Sequence, residues 1–420
     1  MENIIDDLQW RGLIAQSTDE AALREAFENG QVTYYTGFDP TAASLHVGHL
    51  VQVITMRRLQ QAGHRPIVLV GGATGLIGDP RETTERSMND AEVVAGWVDK
   101  IRGQLKPFFE TEGENGAIFV NNLDWTKDLS AIDLLRDVGK HFRLGTMLSK
   151  DIVARRLNSD EGISFTEFSY QLLQGNDFRE LLRRYGCTLQ SAGNDQWGNI
   201  VAGIDLIRKT DGTPVHGLTT KLITKSDGTK MGKSEGGAVW LDPNLFSPYA
   251  FYQYWLNTAD DDVINYLKVF TFRTREEIEA LAQEVKENPG ARAAQRALAG
   301  DLTTLVHGQK ATDGAIAAAK AIFGGGDLTE LDEQTLNGVA KELPTANAAP
   351  GTSVVDAAVN IGLVKSKSEA RRAIQEGGLY LNNVKVTDAD ATLEPKDFLA
   401  NRFAIVRRGK KTLGVATQEA

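Results

Sequence analysis

The stretch from Val32 to Val70 leaves this chain few folds to choose from. Val32-Thr33-Tyr34-Tyr35 is an apolar, aromatic run of strand length, followed by a turn of small residues around Gly37, Asp39 and Pro40. Beyond Ser44-Leu45-His46-Val47-Gly48-His49, the residues from Leu50 to Met56 carry helical spacing as far as Gly63. Pro66-Ile67-Val68-Leu69-Val70 is continuously apolar, as expected of a strand buried on both faces of a parallel sheet. It empties into the glycine-rich run from Gly71 to Pro80. Strand, helix, strand with glycine-rich turns is the grammar of a doubly wound α/β sheet. Ligands in such sheets bind beyond the carboxyl ends of the strands, where both turns fall. We therefore expect a doubly wound, Rossmann-like parallel sheet.

His46 and His49 stand three residues apart at the helix start, so both imidazoles share a face beside orphan backbone N–H groups. That place suits an anion, above all a phosphate. A metal fits less well, because zinc wants further ligands and the chain has one Cys and six His. The glycines at 72, 75 and 78 miss the G-x-G-x-x-G spacing of dinucleotide sites. Gly232-Lys233-Ser234 looks like the end of a P-loop, but Asp227 stands where that motif needs its first glycine.

Length and composition set the frame. A chain of 420 residues and 45.8 kDa holds two or three domains, and the lone Cys187 excludes an internal disulfide framework. Met1 to Asp7 is acidic, with no basic or long apolar run, so we expect no secretory leader, no membrane span and a cytoplasmic location. The net charge of −10 argues against a nucleic-acid partner for the chain as a whole. The charge is unevenly spread, however: from Gly351 onward 11 Lys and Arg face 8 Asp and Glu, against 35 and 48 before it. Such an asymmetry is expected when one module touches a polyanion.

The remaining segments read in order. Residues up to about Gln31 look helical and charged. Helical patches (Val93 to Phe109, Ala131 to Phe142) flank a strand at Ala117 to Val120. From Phe165 on, helical spacing puts Tyr170, Gln174 and Asp177 on one stripe, which taken alone reads as a solvated face before it reads as a pocket wall. Cys187 to Gln190 and Asn199 to Ile204 repeat the strand-turn-helix grammar around Gly193-Asn194-Asp195-Gln196. Lys225 to Ser234 is a Gly- and Ser-containing loop between lysines, free to swing onto phosphates or simply a basic hairpin. Phe246 to Phe323 is helical, with Tyr249, Phe251, Tyr252, Tyr254 and Trp255 as core. Gly324 to Gly326 and Thr345 to Gly351 read as connector flanking a short element. The last seventy or so residues offer a helix with Arg371 and Arg372, a hairpin turning at Asn382-Asn383, and a strand from Arg402 into Arg407-Arg408-Gly409-Lys410-Lys411.

Together these segments resemble one family. The HVGH at 46–49 looks like the HIGH signature of class I aminoacyl-tRNA synthetases, and KMGKS at 230–234 like their KMSKS loop. The wording around them (YTGFDPTAASLHVGH, GGATGLIGDP, FTEFSYQLLQGNDF, AGNDQWGNI) is similar to that of the bacterial tyrosyl enzymes. The C-terminal unit resembles a small ribosomal-type RNA-binding fold. Val47 and Gly232 are the departures within the two signatures.

The resemblance implies activation of L-tyrosine by ATP to tyrosyl-adenylate, release of pyrophosphate, then transfer to the 3′-terminal adenosine of tRNA(Tyr). ATP would bring Mg²⁺ as a co-substrate, with no metal held by the protein. By matching position, Thr41, His46, His49, Lys230 and Lys233 would serve the departing pyrophosphate. Tyr35 and Asp177 would grip the phenol, Asp79, Tyr170 and Gln174 the α-amino group, with Asp39 and Gln196 lining the same site. Gly37, Gly48 and Asp195 would join the histidines and lysines around ATP. Arg371, Arg372, Lys385, Arg407, Arg408, Lys410 and Lys411 would face RNA. No inserted editing module is visible, and a site that bonds the substrate hydroxyl needs none; the tyrosine enzyme is the standard illustration of that rule.

The implied domains are a catalytic one (1–228), a lysine loop with a helical, anticodon-side domain (229–325), a connector (326–350) and an RNA-binding domain (351–420), in a homodimer. Two rivals remain. A tryptophan-specific sister would give Tyr35 nothing to donate to, since an indole is a donor only. A non-catalytic RNA-binding descendant would have no use for His46, His49, Lys230 and Lys233.

Overall fold

A six-stranded sheet in the order β1-β6-β5-β2-β3-β4 organises the first part of the molecule. Its strands are β1 (Ile14–Ser17), β2 (Thr33–Phe38), β3 (Arg65–Val70), β4 (Ile118–Asn121), β5 (Leu189–Gly193) and β6 (His216–Thr220). The computed structural model describes residues 3–81, 88–229, 231–234, 237–322, 326–409 and 412–418. Strands β2 to β6 run parallel, and β1 pairs antiparallel with β6 at the edge. From β2 the chain steps outward to β3 and β4; from β5 it steps the opposite way to β6. The order therefore reverses between β2 and β5, and a crevice opens at their carboxyl ends.

Every residue of β3 after Arg65 is buried, as its unbroken apolar run predicts. Residues 1–31 differ from the expected helical cover. Between the helices Ile4–Trp10 and Glu20–Asn29 lies β1, only four residues long and defined by its pairing with β6. So short a strand leaves no periodicity to read.

Contacts divide the chain into two units, Met1–Asp242 with Asn265–Thr274, and Pro243–Ile264 with Arg275–Ala420. Two buried arginines explain why 265–274 belongs with the sheet. Arg11 donates to the carbonyls of Lys268 (3.0 Å) and Arg273 (2.9 Å), and Arg58 donates to that of Thr271. They satisfy carbonyls at and beyond the end of the helix Asp260–Phe270, which would otherwise lack partners. Burial, with Arg11 nearby, pushes Arg58 down to about 9.

The helix that carries the expected pocket stripe, Phe165–Tyr185, is also fixed by an arginine. Arg156 and Glu167, both almost wholly buried, meet at 2.9 Å, with Arg156 donating further to the carbonyls of Gly162 and Arg81.

The second unit holds a five-stranded sheet in the order β11-β10-β12-β13-β9. Its strands are β9 (Thr345–Asn347), β10 (Leu379–Leu381), β11 (Val384–Lys385), β12 (Phe403–Arg408) and β13 (Thr412–Thr417); a two-stranded ribbon in the first unit, β7 (Lys233–Ser234) and β8 (Gly237–Ala238), precedes them. Alternation along β12 sends Phe403 and Ile405 into a cluster with Tyr249, Ile322 and Val339, and Ala404 and Val406 into one with Val355, Ala370 and Ile374. Both faces of this sheet are thus covered. Asn382 and Asn383 turn the β10–β11 hairpin with φ of 46° and 65°, as their residue type predicts. The stretch around Thr345, expected as connector, instead supplies β9, an edge strand parallel to β13, preceded by the helix Glu333–Glu342.

Candidate active site

The helix Val47–Gln61 begins with its two histidines capping each other's backbone. His46 is the N-cap residue, and its Nδ1 accepts from the amide of Gly48 at 3.1 Å. The Nδ1 of His49 accepts from the amide of His46 at 3.2 Å, and the rings lie 4.1 Å apart. This is a capping box built from imidazoles. Because each Nδ1 accepts, each ring carries its proton on Nε2 and presents an N–H donor. Burial lowers the pKa of both; His49 falls to about 3, with His46 as a secondary cause. The pair is therefore neutral. Its Nε2–H groups and the helix start make a donor set of the kind that suits an anion.

Gly48 is needed for this arrangement, since a Cβ there would lie 2.8 Å from Cε1 of His46. The chain leaving the lysine loop is tied to the same helix start. Val47 donates to Val239 (2.9 Å), Val239 donates to Gly232 (3.0 Å), and His46 forms a β-bridge with Trp240. Gly232, with φ of 94°, sits so close that a Cβ on it would meet Val47 Cγ2 at 3.1 Å. The backbone at Gly232 and the histidines are therefore neighbours. Lys230 and the side chain of Lys233 lie outside the described residues. Thr41 is exposed in the turn after β2, and Gly37 is exposed at the end of that strand.

Beyond the same strand ends lies a second cluster. Tyr35 Oη is buried and has no hydrogen-bond partner among the described residues. Burial, and next the charge of Asp177, holds that phenol protonated, its pKa well above the usual 10. Asp177, 3% exposed, accepts from Asn122 Nδ2 at 2.9 Å and Trp125 Nε1 at 2.8 Å. Tyr170 donates its hydroxyl to Asp39 Oδ2 at 2.6 Å, and Thr74 donates to the other oxygen at 2.6 Å. Asn122 also donates to Thr74 at 2.9 Å, which closes a network from Asp39 to Asp177. Gln174 keeps a buried Oε1 with no partner among the described residues. The Tyr170, Gln174 and Asp177 stripe is therefore turned inward, not a solvated face.

Asp79 accepts from Gln196 Nε2 at 2.9 Å and from Asn199 Nδ2 at 3.3 Å. Asp195 is exposed beside Gln196, and a Cβ on Gly193 would strike its carboxylate.

Sequence reasoning missed Thr74, Asn122, Trp125, Asn199 and Lys150. Asn122 had a legible signal, because it follows the last residue of a parallel strand at the end where ligands bind. Trp125, three residues later, gave none.

Two family models match. One, tRNA synthetases class I (W and Y), covers residues 28–324; the other, the tyrosine–tRNA ligase SYY-like C-terminal domain, covers 335–415. Tyrosine–tRNA ligase of Streptomyces coelicolor is 61% identical over 414 residues, 98% of each chain. That of Cutibacterium acnes is 58% identical over 420 residues, all of both chains. The chain belongs to the tyrosine–tRNA ligase family of class I tRNA synthetases. Among solved structures, a C-terminally truncated mitochondrial tyrosyl-tRNA synthetase of Coccidioides posadasii matches with a TM-score of 0.67 and 32% identity, over 75% of this chain and 91% of that one. Plasmodium falciparum tryptophanyl-tRNA synthetase, at 14% identity and a TM-score of 0.55, shares the fold.

In this ligase the expected RNA-facing residues of the second unit divide. Arg407 is 9% exposed and stacks on Tyr380 with 3.9 Å to the ring centre. Arg408 pairs with Glu369 at 2.8 Å, and Arg371 with Asp390 at 3.2 Å. Arg372 and Lys385 are exposed. Lys410 and Lys411 lie outside the described residues.

Burial, opposed by the bonds from Asn122 and Trp125, lifts Asp177 from an ordinary 3.8 to about 7. A carboxyl raised in the folded state binds a proton that the unfolded chain has released, so stability falls as pH rises between those values. Relative to Asp177→Asn, the wild-type chain should lose up to about 4 kcal/mol between pH 4 and pH 7.5. Urea denaturation of both proteins across that range measures the difference; a constant gap would refute it.

Proposed function

We propose that this ligase activates L-tyrosine with ATP at the ends of β2 and β5 and passes it to the 3′-terminal adenosine of tRNA(Tyr). One observation carries the amino-acid assignment. An unpartnered, buried phenolic hydroxyl on Tyr35 stands near Asp177, a carboxylate with acceptor sites to spare. A substrate phenol satisfies both, donating to Asp177 and accepting from Tyr35. An indole satisfies one of them. The orphan Oε1 of Gln174 and the acceptor Asp79 suit an α-ammonium, which only donates.

The tyrosine carboxylate attacks the α-phosphorus of ATP, and the bond to pyrophosphate breaks as the mixed-anhydride bond of the adenylate forms. A ribose hydroxyl of the tRNA end then attacks the adenylate carbonyl, and AMP leaves. No protein nucleophile takes part. The protein's share is to align the reactants and to meet the charge that develops on the leaving phosphates. The Nε2–H groups of His46 and His49 and the helix start supply fixed donors. Thr41, Lys230 and Lys233 are assigned to the same charge, and Gly37, Gly48 and Asp195 to the nucleotide. Among the described residues no three His, Cys, Asp or Glu side chains converge. Mg²⁺ is assigned to the phosphates of ATP, whose oxygens suit this hard cation. No described helix is long and apolar enough to cross a membrane, and the reading puts the ligase in the cytoplasm.

RNA contact is assigned to Arg372 and Lys385, with Lys410 and Lys411, in an RNA-binding domain that follows a helical, anticodon-side one. A homodimer is also part of the reading. The elements packed around Val138, Met147 and Leu172 leave Leu144 65% and Phe165 76% exposed, large apolar groups that a second copy would cover.

Three measurements test these statements. Pyrophosphate exchange without tRNA should respond to tyrosine alone of the twenty amino acids. Tyr35→Phe should narrow its preference over phenylalanine by roughly tenfold; exchange driven by tryptophan would sink the reading. Arg372→Glu with Lys385→Glu should slow tRNA charging by about tenfold and spare exchange; normal charging would remove those residues from the interface. Phe165→Asp should halve the mass seen by sedimentation, and an unchanged mass would place the contact elsewhere.

A further inference from the structure

Lys150 stands immediately before the helix Asp151–Leu157, far in sequence from the motifs of the site, yet its side chain ends among them. Its Nζ donates to Asn199 Oδ1 at 2.8 Å. Asn199 Nδ2 then donates both to Asp79 Oδ1 (3.3 Å) and to Gln196 Oε1 (3.1 Å), while Gln196 Nε2 donates to Asp79 Oδ2 (2.9 Å). The stem lies along Gly198, where a Cβ would come within 3.1 Å of Lys150 Cε.

Direction matters in this chain of bonds. An ammonium donates and never accepts, so the atom of Asn199 that faces Lys150 must be its oxygen. The amide nitrogen is thereby turned toward Asp79 and Gln196. Without the lysine, a half-turn of the Asn199 amide would set its oxygen against the Asp79 carboxylate, and one of the two bonds that orient that carboxylate would become a repulsion. We propose that Lys150 is a positioning residue for the amino-acid pocket, acting through Asn199 to aim Asp79 at the α-ammonium of the substrate.

The inference rests on the tyrosine-activating reading above and names a residue that the reading does not use. Burial supports it: it lowers the Lys150 ammonium to about 8, with Asp79 opposing, as expected of a side chain drawn in from solvent.

The test separates the two ends of the substrate. Titration calorimetry is run on wild-type protein and Lys150→Met with L-tyrosine, with tyramine (ammonium but no carboxylate) and with 3-(4-hydroxyphenyl)propionate (carboxylate but no ammonium). The variant should bind tyrosine and tyramine about five-fold more weakly, the worth of one oriented hydrogen bond, and the propionate equally well. Lys150→Arg, which keeps a donor-only cation, should recover most of the loss. Unchanged propionate binding also shows that the variant pocket is folded. A loss that follows the carboxylate would mean direct contact with the substrate and overturns the proposal, as does a loss across all three probes, or none. Wild-type protein that binds neither tyrosine nor tyramine would instead overturn the tyrosine reading itself.

Discussion

Everything in the site hangs on how briefly β2 and β5 stay together. They pair through Tyr34–Leu189 and Tyr35–Gln190, and there the ladder stops. One residue on, the Thr36 hydroxyl bridges to the Ser191 carbonyl at 2.9 Å, a side chain doing what a backbone amide does in a continuing sheet. Both strands run on for several residues while held by their outer neighbours, β3 and β6. The gap between them is therefore framed by rigid elements, with the helix start at His46 on one side and the Asn194-Asp195-Gln196 turn on the other. A pocket held from outside in this way need not be assembled by its ligand.

Within that frame the start of the helix Val47–Gln61 is built from dipoles. The pairing of His46 and His49 through their Nδ1 atoms consumes two backbone donors of the helix start, but returns two ring N–H donors. Keeping the rings neutral avoids burying charge. The short tie from Val47 through Val239 to Gly232 anchors the backbone at Gly232 next to these dipoles.

What could be read from the sequence follows from the range of the interactions. The strand, turn and helix from Val32 to Gly63 are specified by neighbours in the chain, and the structure reproduces them within a few residues. The Tyr170, Gln174 and Asp177 stripe was legible as a stripe, but whether it faced water depended on Asn122, Trp125 and Asp39, which lie 55, 52 and 131 residues from their partners in it. Strand β1 failed for a related reason: its four residues are a strand only because β6 offers an edge. Lys150 meets Asn199 across 49 residues, and no spacing rule connects them.

The second unit gives a case where residue type was legible and role was not. Seven cations there were expected at RNA, yet alternation along β12 places successive residues on opposite, covered faces of the sheet. A cation on a sheet buried on both sides must be matched locally, and Arg407 is, against the Tyr380 ring, as Arg408 is against Glu369. Such residues hold β10, β12 and the helix Lys367–Gln375 in register. The cations that the sheet does not need stand exposed, Arg372 on the helix Lys367–Gln375 and Lys385 on β11. The pairs with Glu369 and Asp390 are already counted in the balance of 11 Lys and Arg against 8 Asp and Glu, so the fold decides where the basic excess stands, not how large it is.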